Sequence, residues 1–208
     1  IVTSRVARRF LKNGNSEMIH LGAALSFRSK EANNENSKRT VASNGVTSMF
    51  GNPMLNAELD RVTTEWKGAL EFLYTNSSFL FQGEYFLNRF NRQGRLEDFS
   101  FHGGYVQGSY LIKGKKGFSY DSKHAIVGWP ISEQAVEMVA RLNFTDFSTY
   151  IAESGGGREL DISLGINYYI NQYFGVKWNC SYVYTGKLRS SFYKRNLFIT
   201  QLRCQYIF

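Results

Sequence analysis

Residues 158–171 read RELDISLGINYYIN, and apolar and polar side chains alternate along this stretch. The apolar positions are Leu160, Ile162, Leu164, Ile166 and Tyr168. The positions between them include the charged Glu159 and Asp161 and the polar Asn167. Because the side chains of a β-strand point alternately to opposite faces, this period of two residues predicts a strand with one apolar and one charged face.

The same alternation recurs along the whole chain. It is present in residues 17–28, 62–75, 78–90, 99–113, 134–147, 172–185 and 195–208, and residues 1–11 suggest one further strand that is cut at its start. These segments run for about 12 to 14 residues, roughly twice the five or six residues usual in soluble proteins. Tilted strands of about nine to eleven residues are enough to cross a bilayer. We therefore predict an all-β fold, a transmembrane antiparallel β-barrel.

The composition agrees with this fold class. The chain has 13 Tyr, 17 Phe and only 2 Pro, and aromatic residues favour strands. No run approaches the roughly 20 apolar residues of a membrane-spanning helix, which excludes a helical membrane protein. The alternative is a soluble β-sandwich whose apolar face points inward. The strand length and the Tyr and Trp residues at strand ends favour the membrane barrel.

The connections between the segments differ in length from one end of the strands to the other. Short connections lie at residues 12–16, 76–77 and 171–172, and longer polar ones lie at 29–61, 148–157 and 186–194, with 91–98 intermediate. Short turns on one side and long loops on the other are typical of an outer-membrane barrel. Residues 114–133 are the exception, because they lie on the short-turn side and are long.

Several short stretches carry a family resemblance. The last residues, 198–208, resemble the C-terminal strand by which bacterial barrel proteins are recognised for outer-membrane assembly. The other stretches, in order, are HLGA at 20–23, GEYF at 83–86, GYVQGSY at 104–110, YD at 120–121, GGGR at 155–158 and LGINYY at 164–169. This order and spacing resemble the phosphate-selective porin O and P family. The resemblance covers nearly the whole chain but only about the C-terminal half of such a porin.

The resemblance implies a 16-stranded barrel in the outer membrane of a Gram-negative bacterium that trimerises and passes anions. It also implies that extracellular loops and one long periplasmic turn narrow the pore, which makes 29–61 and 114–133 the constriction candidates. The chain starts at Ile1 without an initiator Met or a signal peptide. We therefore expect residues 1–208 to be part of a single outer-membrane β-barrel domain whose N-terminal half is absent.

The charges bear on selectivity. The chain has 25 basic and 17 acidic residues, a net charge of +8. The predicted polar face carries the basic residues Arg5, Arg9, Arg28, Lys67, Arg141, Lys177 and Arg203, and the acidic residues Glu65, Glu71, Glu84, Glu137, Glu159 and Asp161. Rings of Arg or Lys select anions, so we predict a solute path lined by Arg28, Lys67, Arg141, Lys177 and Arg203. The alternative is that interleaved charges pair across strands and only stiffen the wall.

The basic excess concentrates in two connections. Residues Lys113, Lys115, Lys116 and Lys123 are the candidates for a narrowing basic turn, and the alternative is an ordinary solvated surface. The second cluster, Lys187, Arg189, Lys194 and Arg195, is predicted to face outside, where it either contacts lipopolysaccharide phosphates or, as the simpler interpretation, has no particular partner. The predicted partners are small anions or other hydrophilic solutes, outer-membrane lipid, lipopolysaccharide and further copies of the chain in a trimer.

Other functions have weaker support in the sequence. The three histidines, His20, His102 and His124, are scattered without a Cys or carboxylate cluster, so we expect no metal and no cofactor. The sequence lacks the Ser/His pair that would indicate an enzyme. The basic residues lie on the opposite face from the aromatic residues, which argues against nucleic-acid binding. Cys180 and Cys204 are not expected to form a disulfide. The main alternative function is a small closed eight-stranded barrel with a structural or adhesive role and no pore.

Overall fold

The computed structural model describes residues 1–13, 16–29, 38–44, 46, 53–94, 96–114, 119–128, 134–147, 156–186 and 196–206. These residues form thirteen β-strands. The strands are β1 Val2–Lys12, β2 Glu17–Ser29, β3 Arg39–Ser43, β4 Leu55–Leu59, β5 Val62–Thr75, β6 Phe79–Arg92, β7 Phe99–Lys113, β8 Ser119–Asp121, β9 Ile126–Gly128, β10 Ala135–Asp146, β11 Arg158–Tyr169, β12 Phe174–Gly186 and β13 Leu197–Tyr206. In the described ranges no helix is long and apolar enough to span a membrane.

Nine of the strands form one antiparallel sheet in the order β1-β2-β5-β6-β7-β10-β11-β12-β13. The predicted all-β, antiparallel fold is therefore confirmed, and each alternating segment of the sequence corresponds to one of these long strands. The sheet is open, with β1 and β13 as its edges among the described residues. This arrangement differs from the closed eight-stranded barrel that was the alternative. The remaining strands form two small hairpins, β3–β4 and β8–β9, which the alternation did not predict.

The register places the two kinds of side chain on separate faces. Residues directly opposite each other in antiparallel strands share a face, as do Arg28 and Glu65 or Asn143 and Asp161. All the basic and acidic residues assigned above to the predicted polar face lie on one side, which we call the polar face. The other side, the apolar face, exposes large side chains such as Leu70 (60%), Leu164 (62%) and Leu202 (71%). Such an extended apolar surface is expected against lipid and argues against a soluble sandwich.

Two of the short turns are built on asparagine side chains. Asn76 Oδ1 accepts hydrogen bonds from the backbone N–H groups of Ser78 and Phe79 at 2.9 and 2.7 Å. In the same way Asn171 Oδ1 accepts from Tyr173 and Phe174 at 2.9 and 2.8 Å. Asparagine is favoured in turns because its side chain satisfies backbone donors two or three residues further on. The turns therefore set the register of β5 with β6 and of β11 with β12.

We expect Asn76→Ala and Asn171→Ala each to lower the free energy of unfolding by about 1–2 kcal/mol, because each removes two hydrogen bonds from the turn. Urea unfolding of the intact protein in detergent micelles measures this. The control is Asn171→Asp, which retains an oxygen acceptor and is expected to cost less than the alanine variant. Unchanged unfolding midpoints for both alanine variants would contradict the assignment.

The apolar core lies between the β3–β4 hairpin and the polar face of the sheet. Leu55, Ala57 and Leu59 of β4 are buried in a cluster of aromatic side chains. The aromatic members of this cluster are Phe90, Phe99, Phe101 and Phe147. The first three belong to β6 and β7 and lie on the polar face by register. The hairpin is thus held against that face by hydrophobic burial, the dominant favourable contribution to such packing.

Candidate pore wall and constriction

The β3–β4 hairpin and its neighbouring residues extend across the polar face. At one end Phe101 and Phe147 pack with ring centroids 4.7 Å apart around the buried leucines of β4. At the other end Met54 packs against Val183 of β12 and Ile199 of β13. Between them the backbone N–H of Gly156 donates to the Asn56 carbonyl at 3.1 Å. The described part of the 29–61 loop therefore covers the polar face from β6 and β7 to β12 and β13.

The β8–β9 hairpin also folds onto the polar face, nearer the short turns. Tyr120 packs against Met18, Leu73 and Leu80, and its hydroxyl lies 3.2 Å from His20 Nδ1. The guanidinium of Arg9 lies 4.6 Å from the centroid of the Tyr120 ring. The described part of the 114–133 turn, residues 119–128, therefore contacts the sheet on the face that carries the charges.

The four lysines of the predicted basic turn are only partly described. Lys113 is the last residue of β7 and is exposed, and Lys123 is exposed in the β8–β9 turn. Lys115 and Lys116 lie outside the described residues. The backbone N–H of Lys123 donates to Asp121 Oδ1 at 2.8 Å, and His124 Nδ1 lies 2.6 Å from Asp121 Oδ2. The hydrogen bond with His124 holds the pKa of the Asp121 carboxyl below its ordinary value, so a negative charge stands beside Lys123.

Two of the five predicted path residues are paired with a carboxylate. Lys67 Nζ lies 2.7 Å from Glu65 Oε1, and Arg28 Nη1 lies 3.7 Å from Glu65 Oε2. Glu65 itself is buried. The alternative that charges pair across strands therefore applies to Arg28 and Lys67, because the negative charge of Glu65 partly offsets both of them.

Arg141 has a different environment. Its Nε donates to Asn143 Oδ1 at 2.7 Å and its Nη1 donates to Gln107 Oε1 at 3.2 Å. The guanidinium carbon lies 3.8 Å from the centroid of the Tyr105 ring. Its hydrogen-bond partners are neutral amides, and stacking on an aromatic ring further restrains the group. Arg141 is therefore held in one orientation while its charge is not cancelled by a hydrogen-bonded carboxylate.

Lys177 and Arg203 are brought together by the sheet. They are direct partners in the register of β12 with β13, and Lys177 Nζ lies 5.8 Å from the centroid of the Tyr169 ring. In the part of the chain that the structure describes, neither forms an ion pair with a carboxylate. Across the sheet Lys177 lies opposite Asn167, and Asn167 lies opposite Glu137 of β10. Glu137 is four residues from Arg141 along β10, which is about 14 Å at the usual rise of a strand.

A polar cavity of about 510 Å³ lies between the wall and the residues that follow β3. Ser43 and Val46 line it on one side, and Arg141, Glu159 and Asp161 line it on the sheet. Sequence reasoning counted Glu159 and Asp161 as wall charges exposed to water. In the structure each is only 4% exposed, and Ser43 and Val46 lie with them around the cavity.

The aromatic cluster on the polar face was also missed. Phe86, Phe90, Phe99 and Phe101 lie on the same face as the charges, at the end of β6 and β7 that adjoins the long loops. A signal for it exists in the sequence, since these four Phe residues occupy positions with the parity of the polar face, where the alternation otherwise places charged and polar residues.

The residues set aside in the sequence have simple environments. Cys180 and Cys204 are free and lie opposite Thr200 and Val176 respectively, out of register with each other. His102 Nε2 lies 4.0 Å from Asp146 Oδ2. Within the described ranges no group of three or more His, Cys, Asp and Glu side chains is arranged to hold a metal ion.

An antiparallel sheet of long strands with an exposed apolar face, and with hairpins folded onto its charged face, defines the wall of an outer-membrane porin. The family model for phosphate-selective porin O and P matches residues 3–208, and the chain belongs to this family. No curated protein matches the chain. The family resemblance stated from the sequence is confirmed, and the family consists of membrane channels rather than enzymes.

Proposed function

We propose that this chain forms part of the wall of a water-filled β-barrel through which small hydrophilic solutes diffuse, with anions such as phosphate favoured. Residues 1–208 are then one section of a single 16-stranded barrel domain in the outer membrane of a Gram-negative bacterium. The edges β1 and β13 have unpaired backbone groups on their outer sides among the described residues, and further strands of the barrel would pair with them.

The observation that carries anion preference is the unequal exposure of charges on the polar face: Glu65, Glu137, Glu159 and Asp161 are buried, whereas Arg141 and Lys177 are partly exposed and Arg203 is exposed. Glu65 is engaged by Arg28 and Lys67, and Glu71 Oε1 lies 2.6 Å from Arg5 Nη2. No such ion pair engages Arg141, Lys177 or Arg203 in the described ranges. Unpaired cations on a pore wall raise the local concentration of anions. We therefore propose that Arg141, Lys177 and Arg203 line the anion path and attract anions most strongly, and that Arg28 and Lys67 contribute less to this attraction.

The two hairpins on the polar face are the proposed constriction. In this proposal β3–β4 narrows the pore from the long-loop side and β8–β9 from the short-turn side. At the β8–β9 hairpin, a partly dehydrated anion would meet the positive charges of Lys113, Lys115, Lys116 and Lys123. A trimeric assembly and contacts of the outward loops with lipopolysaccharide belong to the same proposal and rest on the family. Passive diffusion requires no cofactor.

The test is the reversal potential of the intact protein in a planar bilayer under a salt gradient, followed by addition of phosphate. We expect a reversal potential on the anion side and a chloride current that phosphate reduces in a concentration-dependent manner. Weak or cationic selectivity would contradict the anion preference and leave a general porin. Absence of conductance would contradict the channel itself and favour a structural or adhesive barrel.

A further inference from the structure

The polar cavity on the wall has the size of a small-molecule site. Its volume of about 510 Å³ falls within the roughly 300–1,000 Å³ of typical ligand pockets. It extends over the polar face from β7 to β13, and Ser43 and Val46 border it on the side of the β3–β4 hairpin. A single small ion would fill only a fraction of this space, so the cavity suits a larger organic solute.

Most of the polar side chains on the described lining of the cavity are neutral. They include Gln107, Asn143, Ser163, Asn179, Ser181 and Gln201. The register of the sheet places Ser163 opposite Ser181 and Asn179 opposite Gln201. Amide and hydroxyl side chains both donate and accept hydrogen bonds, and so do the hydroxyl groups of a sugar. The floor of the cavity therefore matches a solute that carries several hydroxyl groups.

The position of the Asn179 amide depends on Gly165. These two residues are direct partners in the register of β11 with β12, and both line the cavity. A Cβ atom on Gly165 would collide with Asn179 Oδ1. A glycine inside a strand often marks a place where another group approaches the backbone closely. The glycine thus leaves room for the Asn179 amide on the floor of the cavity.

Arg141 is the single basic side chain on the described lining. Its Nε and Nη1 donate to Asn143 and Gln107, and no hydrogen bond within the described ranges uses its Nη2. The side chain is partly exposed, and the Tyr105 ring restrains it from one side. A guanidinium that is already oriented binds a carboxylate or phosphate strongly. Arg141 can therefore hold one anionic group of a solute in the cavity.

The surrounding charges favour an anionic group with one negative charge. Glu159 and Asp161 line the same cavity and add no positive charge. Lys177 lies two residues beyond Asn179, about 7 Å along β12, and neither it nor its partner Arg203 is on the described lining. A phosphate ester carries about 1.5 to 2 negative charges at pH 7, and its second charge would meet no second cation in the cavity. A carboxylate needs only Arg141.

We propose that this cavity binds a hydroxylated monocarboxylate of the sugar-acid class. Arg141 holds the carboxylate, and the amides of Asn179 and Gln201 contact the hydroxyl groups. This inference rests on the proposed channel function and names a class of solute for it. Because a conducting site must release its solute, the binding is weak, with a dissociation constant of about 1 mM.

The experiment is a saturation-transfer NMR titration of the intact protein in detergent with four probes. Glucuronate has the carboxylate and the hydroxyl groups, glucose lacks the carboxylate, glucose 6-phosphate has a phosphate in its place, and acetate lacks the hydroxyl groups. We expect glucuronate to bind at least about fivefold more tightly than each of the other three probes, because each loses hydrogen bonds or brings an uncompensated charge.

Variants of the cavity test the assignment of roles. Arg141→Gln is expected to weaken glucuronate binding at least about tenfold and to abolish the preference for glucuronate over glucose. Gln201→Ala is expected to weaken glucuronate binding about three- to tenfold. The matched control is Gln205→Ala, on the same strand and face but outside the described lining. This variant is expected to bind glucuronate like the parent protein.

Wild-type protein alone can overturn the proposal, so it stays falsifiable if a variant fails to fold. No saturable glucuronate binding up to about 50 mM would refute the site. Equal binding of acetate or glucose, or tighter binding of glucose 6-phosphate, would refute the assigned solute class. Equal losses in Gln201→Ala and Gln205→Ala would refute the location.

The NMR titration does not require conduction, so it separates this inference from the channel function. An anion-selective conductance without glucuronate binding would overturn the inference and leave the proposed function intact. Glucuronate binding without any conductance would support the site and contradict the channel.

Discussion

Replacing Arg141, Lys177 and Arg203 together with glutamine is expected to shift the reversal potential towards cations and to weaken the block by phosphate. The described residues provide no carboxylate partner for any of these three side chains, whereas Arg28 and Lys67 share Glu65. One unit charge acting on an ion at about 4 Å in water contributes about 1 kcal/mol, which is a factor of about five in local ion concentration. We therefore expect the anion-to-cation permeability ratio to fall several-fold.

The control removes the same formal charge from the other face. Arg8 lies opposite Leu21, Lys12 opposite Glu17 and Arg89 opposite Trp66, positions that all have the parity of the apolar face. The triple variant with glutamine at Arg8, Lys12 and Arg89 is expected to keep the parent reversal potential. Equal shifts in both triple variants would mean that net charge and not the polar-face position matters. An unchanged reversal potential in the variant that replaces Arg141, Lys177 and Arg203 would show that these three residues do not line the anion path.

Releasing the β3–β4 hairpin is expected to raise the single-channel conductance. Leu55 and Leu59 are 1% and 0% exposed in the aromatic cluster. Truncating a buried leucine costs about 2–5 kcal/mol, and a serine adds the cost of a buried hydroxyl. The double variant Leu55→Ser with Leu59→Ser removes most of the hydrophobic contact that holds the hairpin on the polar face. A freed hairpin no longer narrows the pore.

Single-channel recording and limited proteolysis test this together. We expect a larger conductance and faster cleavage within residues 38–61 in the double variant. Ala42→Ser is the control, because Ala42 is an exposed residue of β3 in the same hairpin. Faster cleavage with unchanged conductance would show that the hairpin is released but is not the constriction.

The nine long strands could be predicted from the sequence alone. The alternating segments 62–75 and 99–113 coincide with β5 and β7 in the structure. The prediction succeeds because a period of two residues, sustained over a long strand, directly specifies two chemically different faces. The same pattern assigned every counted charge to the polar face, which the register of the sheet confirms.

The two hairpins could not be predicted in this way. Strands β3 and β4 have five residues each, and β8 and β9 have three, which is too short for a periodicity to stand out. Their positions on the polar face depend on contacts with residues far away in the chain, such as Tyr120 with Met18. Only the aromatic residues on the polar face of β6 and β7 gave a hint that something covers it.

The sequence by itself determined the fold class, the two faces of the sheet and the family, because these depend on local periodicity and on short motifs. Which charges remain free was decided by the tertiary structure, since pairing depends on register and side-chain reach: Glu65 takes both Arg28 and Lys67, and Arg141 takes neutral partners. The tertiary structure also turned Glu159 and Asp161 from wall charges into a buried pair. Glu159 contacts the side chain of Ser43, more than a hundred residues earlier in the chain, and no local pattern encodes a contact over that separation.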